Sequence, residues 1–372
     1  MVEYQIPMIK ILHIIPSLGV GGTEKMLLEL CRGLDKTRFE NSVIALKSGG
    51  ATAQALTREG VAFRVLNSPD SFLPGLLDMF PLHVRLKNVI RKISPDVIHT
   101  WLTRANVAGR CAARSAGNFP VISSLRVIEK EKAYHLWAEK WTQAKADAVT
   151  VNCTPMRDFA VQDIGIPQEK IKVIFNGIRA ASPQQSSSTG KPDGLRFGAM
   201  GRLHAQKGFD IFLEAAKLVL QKNPDCRFTI AGEGPERSSL ENLARRLGIK
   251  EKVKFAGVIK SADFFGACDI FVLSSRWEGM PNVVMEAMAY GKSIAASRVG
   301  GVTDLIEDGK EGLLFPPESP QACAQAMLRL AESPDLRSKL ASAAQKKIKE
   351  KFSMETMVKQ YEELYGQVLQ RR

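Results

Sequence analysis

The strongest constraint in this chain is an alternation of strand and helix patterns that runs almost end to end and breaks once. Short apolar runs at Ile9–Ile15, Ser42–Leu46, Val61–Leu66, Asp96–Thr100, Val121–Leu125, Ala148–Asn152 and Lys172–Phe175 read as buried strands. Between them Glu24–Leu34, Val84–Ile93, Ala105–Ala116 and His135–Lys145 carry apolar residues at helical spacing. Such alternation builds parallel sheets with helices on both faces. The stretch Ser182–Gly194 (SPQQSSSTGKPDG) interrupts it and reads as a surface linker or long loop. The pattern then restarts, with strands at Arg196–Met200, Arg227–Ala231, Val253–Ala256, Ile270–Leu273, Ser293–Ala296 and Gly312–Phe315. Helices at Phe209–Gln221, Ser238–Leu247 and Pro281–Tyr290 separate them. The expectation is an α/β chain of two parallel-sheet domains facing a cleft, with ligands outside the carboxyl ends of the strands. No internal repeat is visible.

Composition narrows the class. Apolar residues make up 45% and charged residues 24%, which excludes a disordered or fibrous chain. No run of about 18 apolar residues predicts a membrane span, and residues 1–7 lack the basic and apolar regions of a secretory signal. The six cysteines (Cys31, Cys111, Cys153, Cys226, Cys268, Cys323) form no CxxC and sit beside no histidine pair. That argues against a disulfide framework or zinc site and predicts a cytoplasmic protein. The net charge of +13 is unevenly spread: residues 82–132 hold 10 Lys/Arg against 3 Asp/Glu. Clustered basic charge points to a polyanionic partner or, more plainly, to a basic surface.

Three segments carry candidate chemistry. Pro16 to Glu24 (PSLGVGGTE) is a glycine-rich strand-to-helix turn in which Gly21 and Gly22 let the backbone approach an anion at a helix N-terminus. Its spacing matches neither GxGxxG nor GxxxxGK[ST], and it also reads as a simple turn. Gly201 to Gly208 (GRLHAQKG) brackets a second such turn with Arg202 and Lys207, two cations spaced to grip a diphosphate or merely solvated. Glu278 to Glu286 (EGMPNVVME) leads from a strand into a helix that Pro281 opens. Glu286, among Val284, Met285, Ala287 and Met288, is expected to be buried. It needs a partner: vicinal hydroxyls of a ribose or hexose, or an arginine.

These residues (GGTE, GRLxxxKG, and E-x7-E followed by GGVTD at 300–304) together resemble the retaining GT-B glycosyltransferases of family 4. The likeness is dense from Gly201 to Phe315 and looser before Ser182. It implies two Rossmann-like domains: an acceptor-side domain over 1–180, a nucleotide-sugar domain over 181–352, and a helix over 353–372 crossing back to the first. It implies that Arg202 and Lys207 grip the donor diphosphate beside Gly201, and that Glu286 binds the ribose hydroxyls. Glu278 would hold the transferred sugar with the backbone of Gly279, Met280, Pro281, Asn282 and Val283. Gly21 and Gly22 would lie over the phosphates, and Val258 beside the base. The implied reaction retains anomeric configuration without a metal or cofactor, the acceptor attacking on the face the diphosphate leaves.

His99, in Asp96 to Trp101 (DVIHTW), ends a predicted strand facing the cleft and is a candidate catalytic residue lining the donor-sugar pocket, the other reading being a packed core histidine. Relatives often carry His-x-His here; Trp101 replaces the second histidine, which removes a histidine-pair role and leaves Trp101 to stack on an acceptor or fill the core. Phe72–Ile93 joins an apolar stretch to a helix bearing Arg85, Lys87, Arg91 and Lys92. With Arg104 these are candidates for acceptor or anionic-membrane contact, the other reading being a helix packed on the sheet. The activity implied is transfer of a hexosyl or N-acetylhexosaminyl group, from a UDP-sugar in preference to GDP, to a glycan or lipid-linked glycan acceptor, at the inner membrane face. A nucleotide-sugar epimerase is the other enzyme reading, but it lacks an acid/base pair. A basic nucleic-acid-binding protein explains the charge but not the carboxylates or the scarce aromatics.

Overall fold

The computed structural model describes residues 8–19, 21–68, 76–127, 133–179 and 194–371. The chain divides into two units, Met1–Gly177 with Met354–Arg372, and Ile178–Ser353. Most of the expected linker, residues 182–193, lies outside the described residues, as do Phe72–Gly75 ahead of the basic helix.

The first unit has seven strands: β1 (Ile9–Ser17), β2 (Phe39–Ser48), β3 (Ala62–Val65), β4 (Val97–Trp101), β5 (Val121–Leu125), β6 (Ala148–Val151) and β7 (Ile171–Val173). Its helices are α1 (Gly22–Gly33), α2 (Ala51–Arg58), α3 (Leu76–Ile93), α4 (Leu102–Gly117), α5 (Ala133–Thr142) and α6 (Thr154–Phe159). The sheet is parallel, in the order β3-β2-β1-β4-β5-β6-β7. The order reverses between β1 and β4, so right-handed crossovers place α1 and α2 on one face and α3, α4 and α5 on the other. One face packs Ile11, Ile15, Val97 and Trp101 against α1, and the other packs Leu12, Ile14 and Ile98 against α3 and α4.

Helix α3 starts at Leu76, eight residues before the expected Val84, and carries Pro81 inside it. Proline costs one hydrogen bond there, but Leu82, Leu86, Val89 and Ile90 form a buried stripe that outweighs the loss.

The second unit has six parallel strands: β8 (Arg196–Met200), β9 (Arg227–Ala231), β10 (Val253–Gly257), β11 (Ile270–Leu273), β12 (Ser293–Ser297) and β13 (Leu313–Phe315). Their order, β10-β9-β8-β11-β12-β13, repeats that of the first sheet, with its reversal between β8 and β11. Helices α7 (Phe209–Lys222), α8 (Arg237–Arg246), α9 (Ser261–Gly266), α10 (Asn282–Ala289), α11 (Val302–Leu305), α12 (Pro320–Glu332) and α13 (Pro334–Lys351) complete it. Phe197 stacks on Phe228, and Phe212 meets Phe228 edge-on, in its core. The last helix, α14 (Met354–Gln370), belongs to the first unit. Its buried stripe of Met354, Met357, Val358, Tyr361, Leu364, Tyr365 and Val368 packs with α1 on the β1/β4 face.

Candidate active site

In the second unit the loops after β8 and β11 sit at the point where strand order reverses, the usual ligand position in such sheets. They are stitched into one surface. The turn Ala205–Lys207 is capped by His204, whose Nδ1 accepts the Gln206 N–H at 3.3 Å. Gly208 follows with φ of +59°, and a Cβ there would stand 2.2 Å from the Ser274 carbonyl oxygen. Only glycine lets the two loops approach so closely. Arg276 donates to the Ala205 carbonyl at 2.7 Å and to both Asp210 carboxylate oxygens, at 3.1 and 2.6 Å. Gln206 returns a bond to the Trp277 carbonyl at 3.0 Å.

Within this frame Lys207 and Glu278 meet. The Lys207 ammonium lies 2.6 Å from Glu278 Oε1, and the Ser275 hydroxyl donates to the same oxygen at 2.7 Å. The Glu278 side chain is only 7% exposed. Arg202 differs: its guanidinium is exposed and makes no hydrogen bond or ion pair with the described residues. Behind Glu278, Gly300 has φ of +43°, and a Cβ there would lie 2.0 Å from the Glu278 carbonyl oxygen. The Gly301 N–H donates to the Gly279 carbonyl at 2.7 Å. The GGVTD segment thus braces the Glu278–Gly279 backbone. Gly201 is half-buried, Met280 and Pro281 are buried, and Asn282 and Val283 open α10 half-exposed.

Glu286 lies one turn further along α10. It is half-buried rather than fully buried, because its side chain leaves the apolar stripe of Val284, Met285 and Met288. The Ser261 hydroxyl donates to its Oε2 at 2.8 Å, a partner from α9 that the sequence reading did not consider. Val258, just past β10, is 80% exposed. The arrangement offers two cations, one of them held by a carboxylate, and two carboxylates able to accept from hydroxyls. Positive charge fixed in advance at a loop surface stabilises a departing diphosphate.

The first unit treats its own reversal point differently. Gly21 caps α1 and Gly22 opens it, both exposed. Glu24 folds its carboxylate back against Gly21 and hydrogen-bonds the Ser17 hydroxyl, and burial raises its pKa above the usual carboxylate range. Glu24 stands in the GGTE motif with no role of its own assigned from sequence; its position three residues after the N-cap is the signal that marks it.

His99, expected to face the cleft as a catalytic or sugar-lining residue, lies instead in the core. It is wholly buried, with Nδ1 bonded to the Tyr365 hydroxyl and Nε2 to the Ser124 hydroxyl, each at 2.8 Å. Burial, with His13 and Arg126 nearby, holds its pKa well below the usual histidine value. Trp101 is likewise core and not an acceptor platform: it stacks on His99 at 4.3 Å, and its indole N–H donates to His13 Nδ1 at 3.2 Å. The signal for this plug was the Tyr361/Tyr365 pair on α14, one turn apart on the buried stripe.

Of the remaining acceptor or membrane candidates, Arg104 donates to the Ser68 hydroxyl at 3.1 Å. Arg85 and Arg91 reach backbone carbonyls of Leu66 and Ala116, at 3.3 and 2.9 Å. Lys87 is half-buried and Lys92 exposed. From Pro81 to Ile93 the residues Leu82, Leu86, Val89 and Ile90 are spent on the first unit's core. Among the described residues no three His, Cys, Asp or Glu side chains converge to hold a metal ion.

Known proteins agree with this geometry. Residues 20–182 match the family model Glycosyltransferase Family 4, and residues 182–347 match Glycosyl transferases group 1. The lipopolysaccharide core biosynthesis glycosyltransferase LpsD of Rhizobium meliloti is 30% identical over 345 residues, covering 90% of this chain and 95% of LpsD. An Escherichia coli UDP-Gal:alpha-D-GlcNAc-diphosphoundecaprenol alpha-1,3-galactosyltransferase is 26% identical, over 96% of each chain. Among solved structures, Anabaena HepE in complex with UDP superposes with a TM-score of 0.83 at 26% identity, covering 96% of this chain and all of HepE. With its two parallel sheets of like strand order and these matches along both units, the chain belongs to the GT-B glycosyltransferases of family 4.

Proposed function

We propose that this protein transfers a hexosyl or N-acetylhexosaminyl group, with retention, from a UDP-sugar to a glycan or lipid-linked glycan acceptor. The observation that carries the reading is the Lys207–Glu278 pair set beside the unengaged Arg202 at the strand reversal of the second sheet. The UDP bound by HepE and the UDP-Gal donor named for the E. coli relative support uridine as the nucleotide. LpsD and the same E. coli relative support a lipopolysaccharide-type or diphosphate-lipid acceptor.

In this reading Arg202 and Lys207 take the diphosphate, Glu286 accepts from the ribose hydroxyls, and Val258 lies beside the base. Glu278 exchanges its Lys207 contact for hydroxyls of the donor sugar, with the backbone from Gly279 to Val283 around it. Lys207, now turned to the diphosphate, and Arg202 neutralise the leaving group, so no metal is required. The diphosphate oxygen nearest the anomeric carbon takes the acceptor's proton as the new bond forms on the same face. The first unit receives the acceptor, with Gly21 and Gly22 at the N-terminus of α1 as its candidate phosphate contact, and the protein works at the inner face of a membrane. No described helix is long and apolar enough to cross one.

A thermal-shift panel of UDP-, GDP- and ADP-sugars tests the donor. A bound sugar nucleotide at about 100 times its Kd adds about 2.7 kcal/mol and raises the melting temperature by several degrees. UDP-sugars are expected to give the largest rise. A larger rise with GDP- or ADP-sugars, or none with any, contradicts the reading. Transfer is expected to persist in excess EDTA, and activity restored only by added magnesium would overturn the metal-free assignment.

A further inference from the structure

Helix α5 presents two tryptophans to solvent. Trp137 is 63% and Trp141 71% exposed, one turn apart, with ring centroids 5.5 Å apart and planes within 17°. Exposed stacked indoles are costly to leave in water, and their orientation here is fixed from behind. His135, Ala138, Glu139 and Thr142 form the buried side of α5. Glu139 accepts from Arg110 at 2.5 Å, inside an ion pair almost wholly shielded from water, and from Asn106 at 3.1 Å. Arg110 also donates to the Thr142 hydroxyl at 3.2 Å. This lock prevents α5 from rolling its indoles into the core.

Charge selects what covers the pair. Lys140 is exposed beside the tryptophans, and the Lys145 ammonium sits 5.7 Å over the Trp141 ring. Helix α4 packs against both α3 and α5, so the three form one layer over the sheet. From Pro81 to Ile93, and through α4 and α5, the one carboxylate is Glu139, which is buried, while Arg85, Arg91, Lys92 and Lys140 are exposed. A second copy meeting this face by a two-fold would oppose cation to cation. An anionic lipid surface matches the charge, and its headgroup zone is where indole rings, apolar in body with one N–H donor, settle best.

We propose that this protein docks on anionic membranes through Trp137 and Trp141, the two rings entering the headgroup zone while the cations of α3 and α5 meet lipid phosphates. This deepens the membrane-face reading above, on which it rests, and does not depend on the donor assignment. It would hold the first unit at the surface where a lipid-linked acceptor resides.

The test uses the full chain with vesicles of phosphatidylglycerol and phosphatidylcholine at low salt, without donor. Wild type is expected to float with anionic vesicles, lose that binding at 1 M salt, and show a blue-shifted tryptophan emission quenched by brominated acyl chains. Trp137→Ala/Trp141→Ala should lose at least tenfold in vesicle affinity and all of the quenching. Its UDP affinity and thermal unfolding should be unchanged, since both rings are exposed. Lys140→Gln/Lys145→Gln should weaken flotation and reduce its salt dependence while keeping the quenching at saturating lipid. No flotation of wild type at low salt, or equal flotation of the tryptophan variant, overturns the proposal. So does a wild-type dimer that ignores vesicles and dissociates in the tryptophan variant. A loss of UDP binding without any change in flotation would instead strike the donor assignment and leave this one standing.

Discussion

At the strand reversal of the first sheet, β1 and β4 align His13 with His99 and bring up Trp101, and α14 closes over them with Tyr361 and Tyr365. At the equivalent reversal of the second sheet, the loops after β8 and β11 carry Arg202, Lys207 and Glu278 instead. The topology is the same in both, and so is the crevice it creates. In the first sheet the aromatic plug fills one buried face while exposed Gly21 and Gly22 stand at the strand-end turn; in the second the strand-end loops themselves carry the charges. In the plug both nitrogens of each histidine are bonded, while the buried Arg126 guanidinium lies 5.1 Å over the Trp101 ring. The charged surface keeps Arg202 unengaged among the described residues, with only one carboxylate oxygen shared between Lys207 and Ser275. Strand order therefore marks where chemistry can sit, and residue type distinguishes the two places.

The widest separation should come from Trp101→Ala. Removing a fully buried indole is expected to cost about 3–5 kcal/mol of stability. Chemical denaturation followed by circular dichroism should show the loss, while UDP affinity measured below the transition stays within twofold. A weakened UDP affinity with unchanged stability would mean that the plug is itself a ligand site.

Arg202→Ala and Lys207→Ala make the converse change. Each should lower transfer turnover about 10²–10³-fold, equivalent to about 2.7–4 kcal/mol at the transition state. Arg202→Ala should also leave the denaturation midpoint in place, since that side chain supports nothing in the described structure. Wild-type turnover at saturating donor in either variant would remove the distinction between the two crevices.

Acid should act on one unit and spare the other. Burial lowers the His13 pKa to about 4 and holds His99 well below 6.5, so the unfolded chain binds more protons than the folded one between those values. Stability should therefore fall as pH drops from about 6.5 toward 4, by at most about 1.4 kcal/mol per pH unit for each histidine. The one histidine of the second unit, His204, is not fully buried. Hydrogen exchange read by mass spectrometry, corrected for intrinsic rates, should show β1, β4 and α14 losing protection first. His13→Gln should flatten the slope, and an unchanged slope would place the acid-sensitive group elsewhere.

The smallest effect separates the two carboxylates within the charged surface. Glu286→Gln should weaken UDP about tenfold, the loss expected for one charge-assisted contact. Glu278→Gln should spare UDP and damage transfer. Equal losses of UDP affinity in both would mean that their roles are wrongly divided.

How much of this could be read beforehand differs between the two places for the same reason. Arg202, Lys207, Glu278 and Glu286 stand out in sequence because charged residues recur just beyond apolar strands and beside glycines. Arg276 was invisible because its partners, Ala205 and Asp210, lie about 70 residues away and depend on the crossing of two loops, whereas Ser275 bonds Glu278 only three residues on and carries no charge to mark it. The fate of His99 turned on Tyr365, 266 residues downstream, which periodicity alone cannot pair with it. Strand positions were legible to within a few residues, since buried parallel strands are continuous apolar runs. Short α2 and α6 were not, because six to eight residues carry too little periodicity to register.

The central claim is that the nucleotide is held by the second unit's loops and not by the first unit's crevice. The most direct measurement is a calorimetric titration of UDP into wild type and into Arg202→Ala/Lys207→Ala, with Arg85→Gln/Arg104→Gln as the first-unit control. The account predicts saturable binding to wild type, at least a hundredfold loss in the second-unit variant, and affinity within twofold in the control. Undiminished binding in Arg202→Ala/Lys207→Ala, or a comparable loss in the first-unit control, would contradict it.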